Sequence, residues 1–382
     1  MGRLVMAIVE AKQPAHAAGH RCATLNWLSA FRRLGWDIWI VENIRAEKCV
    51  DQTGAPCPPE RSINRQAWDE FSLRFGFDGR STLFVDGEAT GSADFRSFAR
   101  AADLFLNYSG QFNRLELVED VKIKAYLDVD PGYLQVWVHA YGCNMHFTGH
   151  DAFITIGALV GRSGCRVPDC GLEWLATLPP APDTMFQRAP AAPMPRAWST
   201  VAHWYSGPEV VFDGIPLRPK YTNFELLRDL PRLITSPVEV ASDMQPHWGD
   251  YTSFRNAGWR FRDVSDVCAS IENYRNFIVS SAGELGVPKG GYVALQSGWM
   301  SDRSMVYLAN GRPVITLDTG WTQLVGEHAG LRVFSSAPEA ARCIREIESN
   351  YDEACASARH LAETVFSGKK IVASLLSRLG LC

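Results

Sequence analysis

The sequence predicts an α/β protein of two strand-helix-strand domains facing each other across a cleft, and three observations carry that prediction. The first forty residues read as a parallel β-α-β unit. Short apolar runs alternating with helical patterns also fill the C-terminal half. Between the halves, six prolines crowd into the stretch from Leu178 to Arg196. With 382 residues, 46% of them hydrophobic and 21% charged, the chain can build two cores and is too poor in charge to be disordered. Its net charge of −4 implies no general attraction to nucleic acid or to an anionic membrane. No run of 18 apolar residues suggests a membrane span, and the apolar stretch Leu4 to Val9 is too short for a secretion signal. The ten cysteines are scattered without a Cys-x-x-Cys pair, as in a reduced, cytoplasmic protein.

In chain order, Arg3 to Glu10 is an apolar run of strand length. A polar loop, Ala11 to Gly19, leads to a helix in which Leu25, Leu28, Phe31 and Leu34 share one face and Gly35 is the stop. Asp37 to Glu42 is the second strand. Thr82–Val85, Asp103–Tyr108, Lys122–Leu127 and Ala152–Ile156 are further buried strands, and residues 45–75 form an excursion with a helix near Gln66–Phe75. Prolines 179, 180, 182, 190, 193 and 195 can neither continue a helix nor pair in a central strand, so they mark a stiff joint. After it come strands at Ser199–Trp204 and Pro237–Ala241, and helices at Asn223–Leu230, Tyr251–Ala257 and Val264–Phe277. Buried strands follow at Tyr292–Gln296 and Pro313–Leu317, with a helix at Ser301–Asn310 between them. The tail, Ala337 to Leu379, reads as three helices broken near Asn350 and Gly368. The expected domains are residues 1–190 and 197–365, with a final helix in 366–382 returning to pack on the first domain.

The stretch YVALQSGWMSDRSMVYLANGRPVITLDTGW, Tyr292 to Trp321, carries the most chemistry. Ser297, Gly298, Trp299, Ser301, Asp302 and Ser304 bracket a helix start, where unpaired backbone N–H groups and the helix dipole favour an anion. Gly298 would let a phosphate approach the backbone, and Arg303 would hold that phosphate with a bidentate charge. Asp318, Thr319 and Gly320 end the next strand, and the Asp318 carboxylate would accept hydrogen bonds from sugar hydroxyls.

SGWMS followed by ANGRPVITLDTG resembles the donor-site turn and the Gly-x-Pro-strand-Asp segment of the GT-B class of nucleotide-sugar glycosyltransferases. GWMSDRSMVYLANGRPVITLDTG is similar to a bacterial branch of that class, as are the opening GHRCATLNWLSAFRRLGWDIWIVEN and the middle YLDVDPGYLQVW. The resemblance implies two Rossmann-like domains, a nucleoside-diphosphate sugar as donor and a small-molecule acceptor, as in natural product biosynthesis. It also departs from the pattern: Gln296 stands where a histidine is common, and Met300 where an asparagine is usual.

His16, Gly19 and His20 lie in the first loop, which faces the cleft in such enzymes. His20 is the first candidate for a base that removes the acceptor proton, because the ordinary imidazole pKa suits neutral pH. Asp130, after the strand ending in Leu127, is the other candidate catalytic group, while His16, Gly19 and His150 are acceptor-binding candidates. Asp128 and Asp130 match a short Asp-x-Asp metal pattern, but the two-domain reading argues against it. His139, Cys143, His146 and His150 fit no standard zinc module. Neither a metal nor a bound cofactor is therefore expected. Trp27, Trp36, Trp39 and Trp137 would serve either as an aromatic acceptor wall or as core. The leading expectation is a metal-independent glycosyltransferase. A nucleotide-sugar epimerase or hydrolase of the same fold, and a non-catalytic sugar-nucleotide binding protein, remain as alternatives. The oligomeric state is not legible.

Overall fold

The computed structural model describes residues 2–13, 18–91, 94–182, 196–207 and 209–381. The N-terminal half is one sheet of eight strands: β1 (Arg3–Ala7), β2 (Asp37–Ile44), β3 (Ser81–Val85), β4 (Glu88–Gly91), β5 (Leu104–Tyr108), β6 (Ile123–Asp128), β7 (Ala152–Thr155) and β8 (Trp174–Ala176). Their order in space is β4-β3-β2-β1-β5-β6-β7-β8, and every pair is parallel except β3 with β4. The chain winds outward from β1 to β3 and then restarts beside β1 at β5, so a switch point lies between β1 and β5.

The second half holds β9 (Trp198–Ala202), a small hairpin of β10 (Val210–Phe212) and β11 (Ile215–Leu217), then β12 (Val238–Ser242), β13 (Arg260–Asp263), β14 (Gly283–Gly286), β15 (Val314–Leu317) and β16 (Leu331–Phe334). Six of these form an all-parallel sheet in the order β13-β12-β9-β14-β15-β16, with its own switch between β9 and β14. Burial of both faces explains why central strands such as β5, LFLNY, are buried along their whole length.

The connecting helix Ala18–Arg33 buries Leu25, Trp27, Leu28 and Phe31 and ends on Arg32 and Arg33, which suit the negative end of its dipole. One hydrophobic cluster runs from Leu4, Met6 and Ile8 of the first sheet through this helix to Met300, Met305 and Leu308 of the second half. The two sheets therefore share packing beneath the cleft. Past the helix Tyr351–Thr364 the chain crosses back. Ala181 pairs with Ser367, and Arg378 of the last helix, Gly368–Arg378, donates to the Ala176 carbonyl at 2.8 Å. No helix among the described residues is long and apolar enough to cross a membrane.

Three elements correct the sequence expectation. Tyr292–Gln296 is not a strand. Gly290–Leu295 is a short helix, and the strand place is taken by β14, Gly-Glu-Leu-Gly. A Cβ at Gly283 would lie 2.5 Å from the Pro313 carbonyl and from the Trp198 ring, and one at Gly286 would lie 2.5 Å from the Thr316 hydroxyl. β14 is thus a strand whose glycines are dictated by its neighbours and whose sequence lacks an apolar run. Val264–Phe277 is two helices, Val264–Cys268 and Ile271–Ser280, because the Ser270 hydroxyl caps the second by accepting from the Asn273 N–H at 3.0 Å. Finally, β3 turns back into β4 through Asp86-Gly87, with φ of 49° and 95°, a two-residue hairpin turn.

Candidate active site in the interdomain cleft

A cavity of about 890 Å³ opens between the carboxyl ends of the two sheets. The first half contributes Gly19 and His20 from the start of the first helix, Tyr108 at the end of β5, and Asp130 after β6. From the second half come Lys220, Lys289, Tyr292, Trp299 and the helix start Ser301-Asp302-Arg303. Both switch points face this space, where ligands bind in open parallel sheets.

His20 stands edge-on to the Tyr108 ring, with centroids 5.1 Å apart, and its buried Nε2 has no hydrogen-bond partner among the described residues. Burial, helped by the neighbouring Arg21 charge, pushes its pKa down to about 4. Arg21 itself is tied to Glu10, its Nε donating at 3.0 Å. The imidazole is therefore neutral at pH 7 and ready to accept a proton, but it is a weaker base than the ordinary histidine expected from the sequence. Asp302, the first residue of the helix Asp302–Ala309, faces the same cavity, and burial holds its carboxyl up at about 7. Its charge is felt by Tyr108, the ring that packs on His20.

The opposite wall is cationic. Lys220, which no sequence motif marks, is drawn down to about 7, first by burial and then by the charges of Arg303 and Lys289. Arg303 is not the free phosphate ligand that the sequence suggests. Its Nε donates to the fully buried Glu284 carboxylate at 2.6 Å and its Nη1 to the Val201 carbonyl at 2.6 Å. A guanidinium so deeply placed needs a carboxylate beside it, and β14 supplies one. It lines the cavity from that fixed position. Asp130 lines the cavity too, but its carboxylate is already engaged. Lys289 Nζ donates to it at 2.9 and 3.1 Å, and the Tyr292 hydroxyl donates to it as well. Lys289 lies 4.8 Å above the Tyr133 ring, and Tyr292 stacks on Trp299 with centroids 4.1 Å apart. This cluster bolts one half of the chain to the other, which corrects the reading of Asp130 as a catalytic base. Asp128 is likewise committed, accepting from the Asp130 N–H, Gln135 and Thr155 at 2.7–2.9 Å.

The turn before the helix is built for domain contact more than for an anion. Gly298 has φ 72°, and a Cβ there would sit 2.7 Å from the Leu159 backbone nitrogen of the first half. Leu159 N–H donates to the Ser297 carbonyl at 3.1 Å, and Ser297 is fully buried. Gly298 thus admits the neighbouring domain's backbone where a phosphate was expected. Ser301 caps the helix, its hydroxyl accepting from the Arg303 N–H at 3.2 Å, while Ser304 is buried behind it.

Asp318 does not reach the cavity. Its Oδ1 accepts from the Gly320 N–H at 2.8 Å and its Oδ2 from the Thr322 hydroxyl at 2.6 Å, and Thr319 donates to the Trp299 carbonyl. Asp318, Thr319 and Gly320 brace the Trp299–Ser301 turn from behind. His150 also lies elsewhere. Its Nδ1–H donates to the Phe147 carbonyl at 3.1 Å, its Nε2 accepts from Asn107 at 3.0 Å, and it packs against Tyr126, so both nitrogens are spent. His16 lies outside the described residues. Of the four tryptophans considered for an acceptor wall, Trp27 and Trp39 are core, and none lines the cleft.

Sequence reasoning missed Lys220, Lys289, Glu284 and Tyr292. The two lysines stand singly in loops or at helix starts and carry no spacing signal. Glu284 sits inside an unrecognised strand. Tyr292 was read as part of a strand.

Solved structures supply the comparison for this two-sheet architecture. The chain is similar to sucrose-phosphate synthase from Thermosynechococcus elongatus, with TM-score 0.55, 13% identity, and 99% of each chain covered. It is also similar to AviGT4, a glycosyltransferase involved in avilamycin A biosynthesis, with TM-score 0.55, 12% identity, and 99% of this chain and 97% of that one covered. The fold is GT-B. No protein-family profile and no curated protein matches the sequence. The GT-B arrangement accounts for the cleft's position: two doubly wound sheets place their carboxyl ends face to face, and the last helix straps the second half to the first.

Proposed function

We propose that the protein is a glycosyltransferase that moves a sugar from a nucleoside-diphosphate sugar to a small-molecule acceptor. One observation carries the reading. A neutral imidazole nitrogen with no partner among the described residues, on one wall of the cleft, faces a wall on which Lys220, Lys289 and Arg303 share one electrostatic neighbourhood. In this reading the diphosphate lies against Lys220, Arg303 and the N-terminus of the helix Asp302–Ala309, and the acceptor enters from the His20 side. In an inverting transfer, His20 Nε2 takes the acceptor's proton as its oxygen attacks the anomeric carbon and the bond to the diphosphate breaks. The negative charge that develops on the leaving phosphate is met by the cationic wall, the larger electrostatic task, and no metal is needed for it. Asp302, whose carboxyl titrates near neutrality in the same cavity, is the second candidate for the base. The resemblance to a natural-product glycosyltransferase supports a small acceptor.

A thermal-shift and calorimetry panel of UDP, TDP, GDP and ADP tests the donor site. At least one should stabilise the protein. Lys220→Met should weaken that nucleotide roughly 10–100-fold, the loss of one charge-assisted contact of about 1.5–3 kcal/mol. Because Lys220 titrates at about 7 in the free protein, diphosphate affinity should fall between pH 7 and pH 9. Absence of stabilisation by all four nucleotides would overturn the reading.

A further inference from the structure

A second cavity, of about 640 Å³, opens on the same carboxyl edge of the first sheet, beside the cleft. The end of β2, Asn43 and Ile44, and the Asp86-Gly87 turn after β3 form its floor, and its walls carry Lys12, Arg45, Lys48 and Arg114. Asp86 is the one carboxylate among the lining residues, and it is occupied by the Ala46 N–H, which donates to it at 3.2 Å, while the Lys12 ammonium donates to the Gln111 carbonyl and feels the buried Glu42 charge. Lys48 forms no ion pair among the described residues. Arg45 and Arg114 pair with Glu47 and Glu116, which do not line the cavity and are 62% and 56% exposed, so those pairs are weak and exchangeable.

The site is also shaped. A Cβ at Gly87 would fall 2.5 Å from the Arg114 guanidinium, so the hairpin turn keeps open the space in which that fork lies. Residues Glu10 to Lys12 are pinned because the buried Glu42 carboxylate accepts from their N–H groups at 2.7–2.9 Å. Lys12 lines this cavity and the next residue, Gln13, lines the cleft, so the two spaces share one wall.

We propose that this cavity holds an oxyanion, a phosphate or carboxylate, carried by the acceptor, whose hydroxyl end then reaches over the loop Glu10–Gln13 toward His20. The acceptor role rests on the sugar-transfer reading. The oxyanion site itself rests on the four cations, two of which are guanidinium forks suited to bidentate contact.

The test is calorimetric titration of the full chain, at fixed ionic strength, with inorganic phosphate and separately with malonate, which distinguishes the two sources of oxyanion. Three forms are compared: the unaltered protein, the cleft variant Lys220→Met, and the pocket variant Arg45→Gln/Lys48→Gln, whose side chains are exposed and whose fold is checked by thermal melting. Saturable binding of either anion should survive in Lys220→Met and weaken at least tenfold in the pocket variant, while UDP affinity in the pocket variant stays unchanged. Anion binding that is indifferent to the pocket substitutions, or lost only in Lys220→Met, overturns the proposal. If no nucleotide binds but the anion is lost in the pocket variant, the sugar-transfer reading falls and the oxyanion site stands.

Discussion

On the N-terminal wall of the cleft, burial strips His20 of its proton, whereas on the C-terminal wall the same burial is opposed at Arg303 by a carboxylate and reinforced at Lys220 by neighbouring cations. Arg303 keeps its charge because Glu284 is buried beside it, and Lys220, with no carboxylate in direct contact among the described residues, slides toward neutrality. Desolvation acts alike on both walls. The difference lies in partners. Among the described residues nothing on the first wall bonds to the imidazole Nε2, while β14 brings a glutamate to the second. Charge in this cleft is therefore set by which strand passes behind each cation.

The comparison is most strongly tested by His20→Ala. Transfer should fall about 10²–10⁴-fold while nucleotide affinity holds, since the proposed donor site lies against the other wall. The acid limb of the unaltered enzyme's rate profile should lie near pH 4, where the buried imidazole titrates, and vanish in the variant. A limb near pH 7 that survives the substitution would transfer the base role to Asp302. Stability carries the same signature with opposite signs. His20 binds fewer protons folded than unfolded, so its contribution is lost as pH falls from 6.5 toward 4. Asp302 binds more protons folded, so its contribution is lost as pH rises from about 4 to about 7.

Next in size is Glu284→Ala, which leaves the Arg303 guanidinium buried without its carboxylate. Breaking such a pair costs about 3–5 kcal/mol, read as a drop in the denaturant midpoint. A melt within error of the unaltered protein would mean that solvent or Val201 alone satisfies Arg303.

The smallest effect is expected from Asp318→Ala. Loss of the bonds to Gly320 and Thr322 should lower stability by about 0.5–2 kcal/mol, as for a lost cap. Nucleotide affinity should not change. A large fall in affinity with little loss of stability would return Asp318 to the donor site and undo its placement behind the turn.

The strands that were legible in the sequence are mostly central ones. β1, β5, β6 and β15 are buried on both faces, so their apolar runs declare them. β4, β8, β13 and β16 are the edge strands of the two large sheets. Each is short and only half covered, so no continuous apolar run marks it, although Asp86-Gly87 was a readable turn signal for β4. The site divides in the same way. Trp299, Ser301, Asp302 and Arg303, which line the cavity, were singled out because they surround a helix start that the sequence punctuates, and His20 because the first loop carries an imidazole. Lys220 and Lys289 were not, because an isolated lysine looks the same in a cleft and on a surface.

The sequence by itself determined two α/β halves and a helix start with a serine cap, because periodicity and capping chemistry are local, whereas most of the proline-rich joint, 183–195, lies outside the described residues. Only the tertiary structure decided what Gly298, Asp318, Asp130 and Glu284 do. Gly298 is required by Leu159 in the other half, Asp318 turns inward onto Thr322, Asp130 is claimed by Lys289 and Tyr292, and Glu284 becomes the counter-charge of Arg303. Asp130, Glu284 and Gly298 meet partners 19 to 162 residues away in sequence, and even Asp318 turns on which way its strand end faces. A carboxylate or a glycine carries the same local signature whether its neighbour will be a ligand, a guanidinium or another domain's backbone. The packing of the two sheets alone chooses that neighbour.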